Sequence, residues 1–288
     1  MIGTYRAKLA LRATRMSWLR NRAHRKVGQF PHVRTKKPHG LGVPLSITLT
    51  SYPLRFHHLA KTICSLIDQT VAADRIVLWV AYGDEKALPA EVVQLQAHGL
   101  SIRTCQDIRS YKKLIPSLDE FADNYLVTAD DDVYYPPNWL DSLVSIAARN
   151  PRAVVGGRVH MAELNPDGSF KPYTRWELAT SKRQTPTNRH LMFPTGVGGI
   201  LYPPRAFHEE VSNREDFMRF CPQGDDIWFF WMAKRAGLQH LRGRDWFDVI
   251  EWPSTQQVAL CNDNLHGSGN DEQIKAMEAH FGFIEEAR

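Results

Sequence analysis

The feature that most constrains this chain is a short apolar run that ends abruptly in three carboxylates. Residues 125–137 read YLVTADDDVYYPP, with the aspartates at Asp130, Asp131 and Asp132. An apolar run closed first by charge and then by paired prolines predicts a buried strand that opens into an acidic loop. Because adjacent like charges repel, a hard divalent cation such as Mg²⁺ or Mn²⁺ would neutralise them best. The alternative is a solvated turn, or the N-terminal cap of a helix that begins near Trp139.

The flanking segments alternate between strand and helix patterns. Predicted strands lie at residues 45–52, 75–80, 101–105 and 125–129, and predicted helices lie between them at residues 56–69, 89–98 and 114–121. Alternation at this spacing predicts an α/β fold with a mainly parallel central sheet and crossover helices. Ligands of such sheets bind at the carboxyl ends of the strands, which is where the acidic triplet stands. The sequence contains neither GxGxxG nor GxxxxGK[ST], so a dinucleotide fingerprint and a P-loop are both excluded.

Beyond the triplet, the sequence predicts a helix at residues 139–149 and a strand at residues 153–159. Residues 162–189 are polar and poorly periodic, with a hairpin-like turn at residues 166–168. This region is either a flap that binds an acceptor or a surface elaboration, and the sequence does not choose between them. A last helix is expected at residues 272–281.

Composition limits the class of protein. At 288 residues, 43% hydrophobic and 23% charged, the chain can bury a substantial core and form one large domain or two small ones. Cys64, Cys105, Cys221 and Cys261 form no CxxC pair, as expected for reduced residues of a cytosolic protein. No apolar run approaches the roughly 20 residues that span a bilayer, and the N-terminus lacks the apolar core of a signal peptide. These features predict a cytoplasmic location.

The net charge of +5 belongs to an N-terminal arm. Residues 1–40 hold 11 Lys and Arg and no acid, which leaves 25 bases and 31 acids, a net charge of −6, in the other 248 residues. A helix of mediocre amphipathicity is predicted from about Tyr5 to Val27. Our hypothesis is peripheral attachment of this arm to the anionic cytoplasmic face of the inner membrane, with Trp18 dipping in. The alternative is a basic leader that is solvated or packs on the protein, and a nucleic-acid partner is disfavoured because no aromatic-interleaved basic surface follows.

Three motifs together carry a resemblance to a known family. They are Thr50-Ser51-Tyr52-Pro53-Leu54-Arg55 after the first strand, the run at residues 109–116 before the acidic strand, and the aspartate triplet. In order and spacing, across residues 45–235, they resemble GT-A-fold glycosyltransferases. The nearest relatives would be the family-2-like bacterial enzymes that build surface polysaccharides such as lipopolysaccharide or capsule. The resemblance implies a Rossmann-like GT-A domain at residues 43–288, after an arm and linker at residues 1–42. Its nucleotide-binding half would end near residue 135, and its acceptor half would follow.

The same resemblance implies substrates and a metal. A hexosyltransferase-like enzyme would take a nucleotide-diphosphate sugar as donor and a saccharide or glycolipid as acceptor, with Mn²⁺ or Mg²⁺ held against the diphosphate. Asp132 would be the direct metal ligand, Asp130 would face the metal and the ribose or sugar, and His266 would complete the metal shell. The other implied donor-binding residues are Ser51, Tyr52, Arg55, Asp84, Lys112, Lys113, Asp131, Gly198 and Gly199.

Some of these residues have both a chemical role and a plainer explanation. Tyr52 would stack on the base, and Lys113 or Lys112 would stabilise the charge of the departing diphosphate. The two lysines also suit the solvated start of a helix, and Asp84 also suits an ordinary turn. A lone loop histidine such as His266 often has no ligand.

A second acidic motif, Gly224-Asp225-Asp226, precedes an apolar helical run. By comparison with the family's Gly-Glu-Asp, Asp226 would be the general base that takes the proton of the acceptor hydroxyl, with Asp225 as the second choice. A carboxylate base without a separate nucleophile implies a single displacement, and therefore inversion at the anomeric carbon. The alternative is that both aspartates only cap the helix and complement its dipole.

Three other functions compete with this interpretation. A sugar nucleotidyltransferase shares the α/β layout, but the basic Gly-rich N-terminal loop that binds a triphosphate is absent. A phosphatase of the DxDx[TV] type requires Thr or Val where this chain has Tyr134. A non-enzymatic scaffold attached to the membrane by the basic arm belongs to a different class. Such a scaffold would show no metal-dependent binding of a nucleotide diphosphate in calorimetry.

Overall fold

The computed structural model describes residues 2–182, 184–185, 188–253 and 269–282. Its strands are β1 (Leu45–Thr50), β2 (Arg75–Ala81), β3 (Leu100–Cys105), β4 (Tyr125–Ala129), β5 (Ala153–Gly156), β6 (Val159–Met161), β7 (Met192–Pro194), β8 (Ile200–Tyr202) and β9 (Gln239–Arg242). Its α-helices are α1 (Ile2–Val27), α2 (Phe56–Ile67), α3 (Ala90–Gln94), α4 (Ile115–Glu120), α5 (Trp139–Ala147), α6 (Arg214–Phe220), α7 (Asp225–Arg235) and α8 (Gly269–Phe281).

Seven of the strands form a central sheet in the order β3-β2-β1-β4-β8-β5-β9. β8 runs antiparallel to both of its neighbours, β4 and β5, whereas the other pairs are parallel. The predicted fold class, an α/β fold with a mainly parallel sheet, is therefore confirmed. The chain leaves β1 towards β2 and β3 on one side and returns to β4 on the other. The carboxyl ends of β1 and β4 therefore flank a topological switch point, the place where ligands bind in open α/β sheets.

Helices cover both faces of the sheet. On one face, α2 buries Phe56, Leu59, Ile63 and Leu66, which recur every three or four residues and so share one side of the helix. On the other face, α7 is apolar nearly all round and is buried among α6, α8 and the sheet. Both faces of β1 and β4 are thus buried against helices. This packing fixes the position of the loops that leave the carboxyl ends of the two strands.

The predicted strand at residues 153–159 is wrong at its C-terminal end. β5 stops at Gly156, and β6 leaves the sheet to pair with β7 as a separate antiparallel ribbon. The cause is close backbone packing, because a Cβ on Gly157 would lie 2.2 Å from the carbonyl oxygen of Gly198. The Gly157 N–H donates to the Gly199 carbonyl at 2.9 Å, which turns the chain out of the sheet at this point.

The predicted N-terminal helix is present as α1, and it packs on the rest of the protein. Ala23 is fully buried in a cluster with Tyr134, Ile250 and Trp252. The His24 ring lies 5.1 Å from the Trp252 ring. Through Tyr134, the Ala23 cluster joins α1 to the loop that follows the aspartate triplet. The domain boundary at residue 42 stays a prediction. Within the described ranges, no helix combines the length and hydropathy needed to cross a membrane.

Candidate active site

A cavity of about 1080 Å³ opens at the carboxyl ends of β1 and β4. Its walls come from the loops after these two strands, the N-terminus of α7, the β6–β7 ribbon and the segment at residues 246–251. The predicted site residues on its wall are Ser51, Tyr52, Arg55, Lys112, Lys113, Asp130, Asp131, Asp132, Asp225 and Asp226. The acidic triplet and the acidic pair, nearly a hundred residues apart in sequence, therefore face one cavity.

The three aspartates of the triplet have different surroundings. Asp131 is held by the protein, since its Oδ2 accepts a 2.5 Å hydrogen bond from Ser51 Oγ and its Oδ1 lies 3.2 Å from Arg55 Nη1. Arg55 also contacts the Asp132 carboxylate through Nη2. Asp130 instead faces Lys113. One arginine thus screens two carboxylates, and the triplet is not a solvated turn.

Burial raises the pKa of Asp132 to about 7, although the Arg55 guanidinium opposes the shift and the neighbouring acids add to it. Such a carboxyl favours additional positive charge close by. In the described part of the chain, no three Asp, Glu, His or Cys side chains converge into a ready-made metal cage. Mg²⁺ is usually bound by one or two carboxylates, with substrate phosphates and waters as its remaining ligands, so Asp132 and Asp130 fit such an ion.

Lys113 joins the two acidic motifs. Its Nζ lies 3.1 Å from Asp130 Oδ1 and 2.9 Å from Asp225 Oδ2. Burial alone lowers the pKa of this ammonium, but Asp130, Asp225 and Asp226 outweigh burial and raise the pKa well above its ordinary value. Lys113 therefore stays charged and places a fixed cation between the carboxyl end of β4 and the first turn of α7.

Asp226 is oriented by the backbone of Gly196. The Gly196 N–H donates to Asp226 Oδ2 at 2.8 Å, and the N-cap residue of α7, Gly224, provides no side-chain cap. A Cβ on Gly196 would lie 2.8 Å from Lys113 Nζ and 2.9 Å from Asp226 Oδ1, so a side chain here would separate the lysine from the acid. Burial, followed by the neighbouring Asp225, raises the pKa of Asp226 above that of an ordinary aspartate.

Three predicted site residues do not join this group. Asp84 begins a short 3₁₀ turn after β2 and does not line the cavity. Gly198 and Gly199 also lie off the cavity wall, because they pack against the backbone of Arg158 and the ring of Trp139, each within 2.3 Å of where a Cβ would be. The donor-binding roles of these three residues stay predictions. His266 lies outside the described residues.

The structure adds cavity-lining residues that sequence reasoning missed. Arg158 and His160 lie two positions apart at the start of the β6–β7 ribbon, and Glu251 comes from the segment after β9. Burial, followed by the charge of Arg158, lowers the pKa of His160 to about 3, and His160 Nδ1 accepts a 2.8 Å hydrogen bond from the Ala179 N–H. Two polar side chains at i and i+2 were a usable signal for one face of a strand. The segment after β9 has no periodic pattern that could have indicated a cavity wall.

Residues 117–204 match the family model described as "Glycosyl transferase family 2". This segment contains β4, the aspartate triplet and Gly196. The resemblance to family-2-like glycosyltransferases that the sequence motifs indicated is therefore confirmed. A comparison with curated proteins gives no significant match.

Solved structures with a similar fold have low sequence identity to this chain. Glucosyl-3-phosphoglycerate synthase from Mycobacterium tuberculosis, in complex with Mn²⁺, UDP and phosphoglyceric acid, is 18% identical over 41% of this chain and 44% of its own, with a TM-score of 0.32. Its complex with Mn²⁺, UDP and glucosyl-3-phosphoglycerate aligns over 86% of this chain and 83% of its own, at 13% identity and a TM-score of 0.46. The inositol-1-phosphate CTP transferase from T. maritima aligns over 84% and 98% at 12% identity and a TM-score of 0.42. In the first of these matches this chain spans less than half of the other protein's length.

Proposed function

We propose that this chain, which carries a glycosyl transferase family 2 segment, moves a sugar from a nucleotide-diphosphate sugar to a hydroxyl of a saccharide acceptor, with a divalent metal ion. The observation that carries the proposal is the contact of Lys113 with both Asp130 and Asp225. A single displacement needs stabilisation of the leaving group and a base for the attacking hydroxyl around one substrate. Lys113 contacts both acidic motifs and therefore holds them on either side of one substrate-sized space.

The donor would occupy the part of the cavity formed by the carboxyl ends of β1 and β4. Tyr52 and Arg55 line this part of the wall, where a base and a ribose would lie. Asp132 and Asp130 would hold Mn²⁺ or Mg²⁺, which stabilises the negative charge of a departing diphosphate when it is bound. Lys113 adds a second, permanent positive charge close to Asp130, and such a charge is most effective in a buried site.

Asp226 would act as the general base. The acceptor oxygen forms the new bond to the anomeric carbon, its proton passes to Asp226, and the electron pair of the broken bond leaves with the diphosphate. The Gly196 N–H fixes one oxygen of Asp226, whereas Asp225 is engaged by Lys113. This difference favours Asp226 over Asp225 as the base. Attack from the face opposite the leaving group inverts the anomeric carbon.

The acceptor that we propose is a saccharide or glycolipid of bacterial surface polysaccharide synthesis, used at the cytoplasmic face of the inner membrane. The outer side of α1 supports attachment to such a surface. Leu11 and Trp18 are 74% and 53% exposed there, and the Arg22 guanidinium lies 5.5 Å from the Trp18 ring centroid. Exposed apolar side chains among arginines are typical of helices that lie in a membrane interface.

The deciding experiment is a screen of UDP-, GDP-, CMP- and dTDP-sugars for release of the nucleotide, with Mn²⁺, with Mg²⁺ and with a chelator. We expect release from one class of donor that needs the metal. A parallel incubation with nucleoside triphosphates and sugar phosphates tests for pyrophosphate release. Pyrophosphate release without turnover of any nucleotide sugar would replace the proposal by a nucleotidyltransferase, and no metal-dependent binding or turnover at all would indicate a scaffold.

A further inference from the structure

Trp246 differs from the other tryptophans after α6. Trp228, Trp231 and Trp252 are at most 1% exposed and belong to the packed core, whereas Trp246 is 53% exposed and lines the cavity. In the described residues, no other aromatic ring packs against it. A single exposed tryptophan is common on protein surfaces. The inference therefore rests on the contacts that hold Trp246 in place and on its position in the cavity.

The segment that presents Trp246 is anchored on both sides. Before it, the Asp245 N–H donates to Ser142 Oγ at 2.8 Å. After it, Phe247 is buried and stacks on Tyr135 with 5.8 Å between the ring centroids. Further along, Ile250 and Trp252 bond to the backbone of the loop that carries the aspartate triplet. The exposed ring therefore extends from a short stretch that is fixed to α5 and to the loop that carries the aspartate triplet.

The ring itself is also held at its polar edge. The indole N–H of Trp246 donates to Asp248 Oδ1 at 3.3 Å, and Asp248 Oδ2 accepts a 2.7 Å bond from Arg15 Nη2 of α1. Both Asp248 and Arg15 line the cavity as well. The indole N–H is thus occupied, while the residue as a whole stays half exposed on the cavity wall.

We propose that Trp246 is the platform on which a pyranose ring stacks in this site. A pyranose presents an apolar C–H surface on its faces and hydroxyls around its rim, which complements an aromatic face bordered by acceptor oxygens. The carboxylates of Asp248 and Glu251 lie on the same wall and are suited to accept from those hydroxyls. The inference rests on the proposed function, and the ring belongs either to the acceptor or to the transferred sugar of the donor.

The first arm tests the acceptor. The indole N–H signals of ¹⁵N-labelled full-length protein are recorded while methyl β-glucoside, methyl β-galactoside or methyl α-mannoside is added, in the presence of Mn²⁺ and the nucleoside diphosphate of the preferred donor. The Trp246 signal is identified by its absence in Trp246→Phe, and the exposed Trp18 serves as the reference within each spectrum. We expect at least one glycoside to shift the Trp246 signal and to leave that of Trp18 in place.

The second arm tests the donor. The dissociation constants of the preferred nucleotide sugar and of its nucleoside diphosphate are compared between wild type, Trp246→Ala and Trp246→Phe. If the transferred sugar stacks on the ring, Trp246→Ala weakens the binding of the nucleotide sugar by roughly tenfold and leaves the affinity for the nucleoside diphosphate unchanged. Trp246→Phe then retains most of the affinity for the nucleotide sugar. Tyr82→Ala is the matched control, because Tyr82 is exposed and lies off the cavity wall.

The two arms separate the possible results. A shift of the Trp246 signal assigns the platform to the acceptor, and a selective loss of nucleotide-sugar affinity assigns it to the donor. If neither occurs while wild type still releases nucleotide from its donor, the platform is rejected and the proposed function stands. If wild type releases no nucleotide, the proposed function fails, and the glycoside titration, then run without nucleotide, alone decides whether Trp246 binds a sugar.

Discussion

At the scale of single residues, the site depends on one cation among several acids. Lys113 contacts Asp130 and Asp225 and lies close to Asp226, with its side chain only 7% exposed. Removing one partner of a buried ion pair leaves the other charge desolvated and uncompensated, which costs far more than the loss of a surface pair. Lys113 therefore matters both for folding and for the charge that the site presents to a substrate.

Lys113→Met should lower the free energy of unfolding by about 3–5 kcal/mol, because it leaves Asp130 and Asp225 without their cation. Urea denaturation measures this change. The matched control is Lys171→Met, which breaks an exposed 3.0 Å pair with Glu163 and should cost less than about 1 kcal/mol. Equal losses in the two variants would contradict a special role for Lys113. In variant protein that still folds, nucleotide release should fall on the order of 10²-fold.

Asp226→Asn should reduce transfer by roughly 10²–10⁴-fold with little effect on donor affinity, because the amide cannot accept the acceptor proton. The pH profile of wild type gives an independent check. Since the pKa of Asp226 is raised, the active, deprotonated form should be lost as pH falls through a value well above the ordinary aspartate pKa of 3.8. Nucleotide release assayed across that range measures the midpoint. If Asp225→Asn removes turnover and Asp226→Asn does not, the base is Asp225.

At the scale of elements, the sequence predicts best what depends on local pattern. The strand that ends at Ala129 and the helix with Leu59 and Ile63 were predictable because periodicity of two or of about 3.6 residues shows in the sequence itself. The β6–β7 ribbon was not, because its start is set by the contact of Gly157 with Gly198, more than 40 residues away in sequence. The docking of α1 was only one of the alternatives left open by the sequence, since the fully buried residue among its described side chains is only an alanine, Ala23.

The candidate site divides in the same way. The charged residues directly after β4 and in the first turn of α7 were found from sequence, because the strand end and the helix start that present them have local signals. The cavity wall provided by Arg158 and His160 was missed, because both residues are brought to the cavity by tertiary contacts. The sequence thus identified the charged residues of the site, whereas only the folded structure identified the side chains that form the rest of the cavity wall.

The ribbon leads to a stability prediction. The pKa of His160 is about 3 in the folded protein, against 6.5 for an ordinary histidine, so His160 is neutral when folded and takes up a proton on unfolding below about pH 6.5. The unfolded state then binds more protons, and stability falls as pH falls from about 6.5 towards 3. Between about pH 7 and pH 5 this contribution is on the order of 2 kcal/mol.

Urea denaturation of wild type and of His160→Gln at both pH values measures the contribution. The variant should be less stable at neutral pH, because it loses the hydrogen bond that His160 Nδ1 accepts from the Ala179 N–H. Its stability should, however, fall less on acidification. Buried His240, whose pKa is also lowered by burial, remains in both proteins and cancels in the comparison. An identical loss of stability in the two proteins would contradict the assignment to His160.

At the scale of the whole molecule, α1 connects two surfaces. Its inner side packs through Ala23 on the segment that holds Trp246 and the aspartate loop, and its outer side exposes Leu11 and Trp18. A membrane bound by the outer side would therefore lie next to the wall of the cavity to which Arg15 contributes. Deleting residues 1–40 would uncover the apolar surface under Ala23, so point variants on the outer side test membrane binding more cleanly.

We expect full-length protein to co-sediment with vesicles of phosphatidylglycerol and phosphatidylethanolamine, and the double variant Leu11→Ser/Trp18→Ser to remain in solution. Arg22→Gln should weaken binding by about fivefold, since a basic residue near an anionic surface contributes about 1 kcal/mol. Leu54→Ser is the control, because Leu54 is 68% exposed and lies on another element. High salt should also release the protein, because the attachment needs the unscreened attraction of the basic residues in addition to the two apolar side chains. Equal sedimentation of wild type and the double variant would show that α1 serves the fold and the cavity wall without binding a membrane.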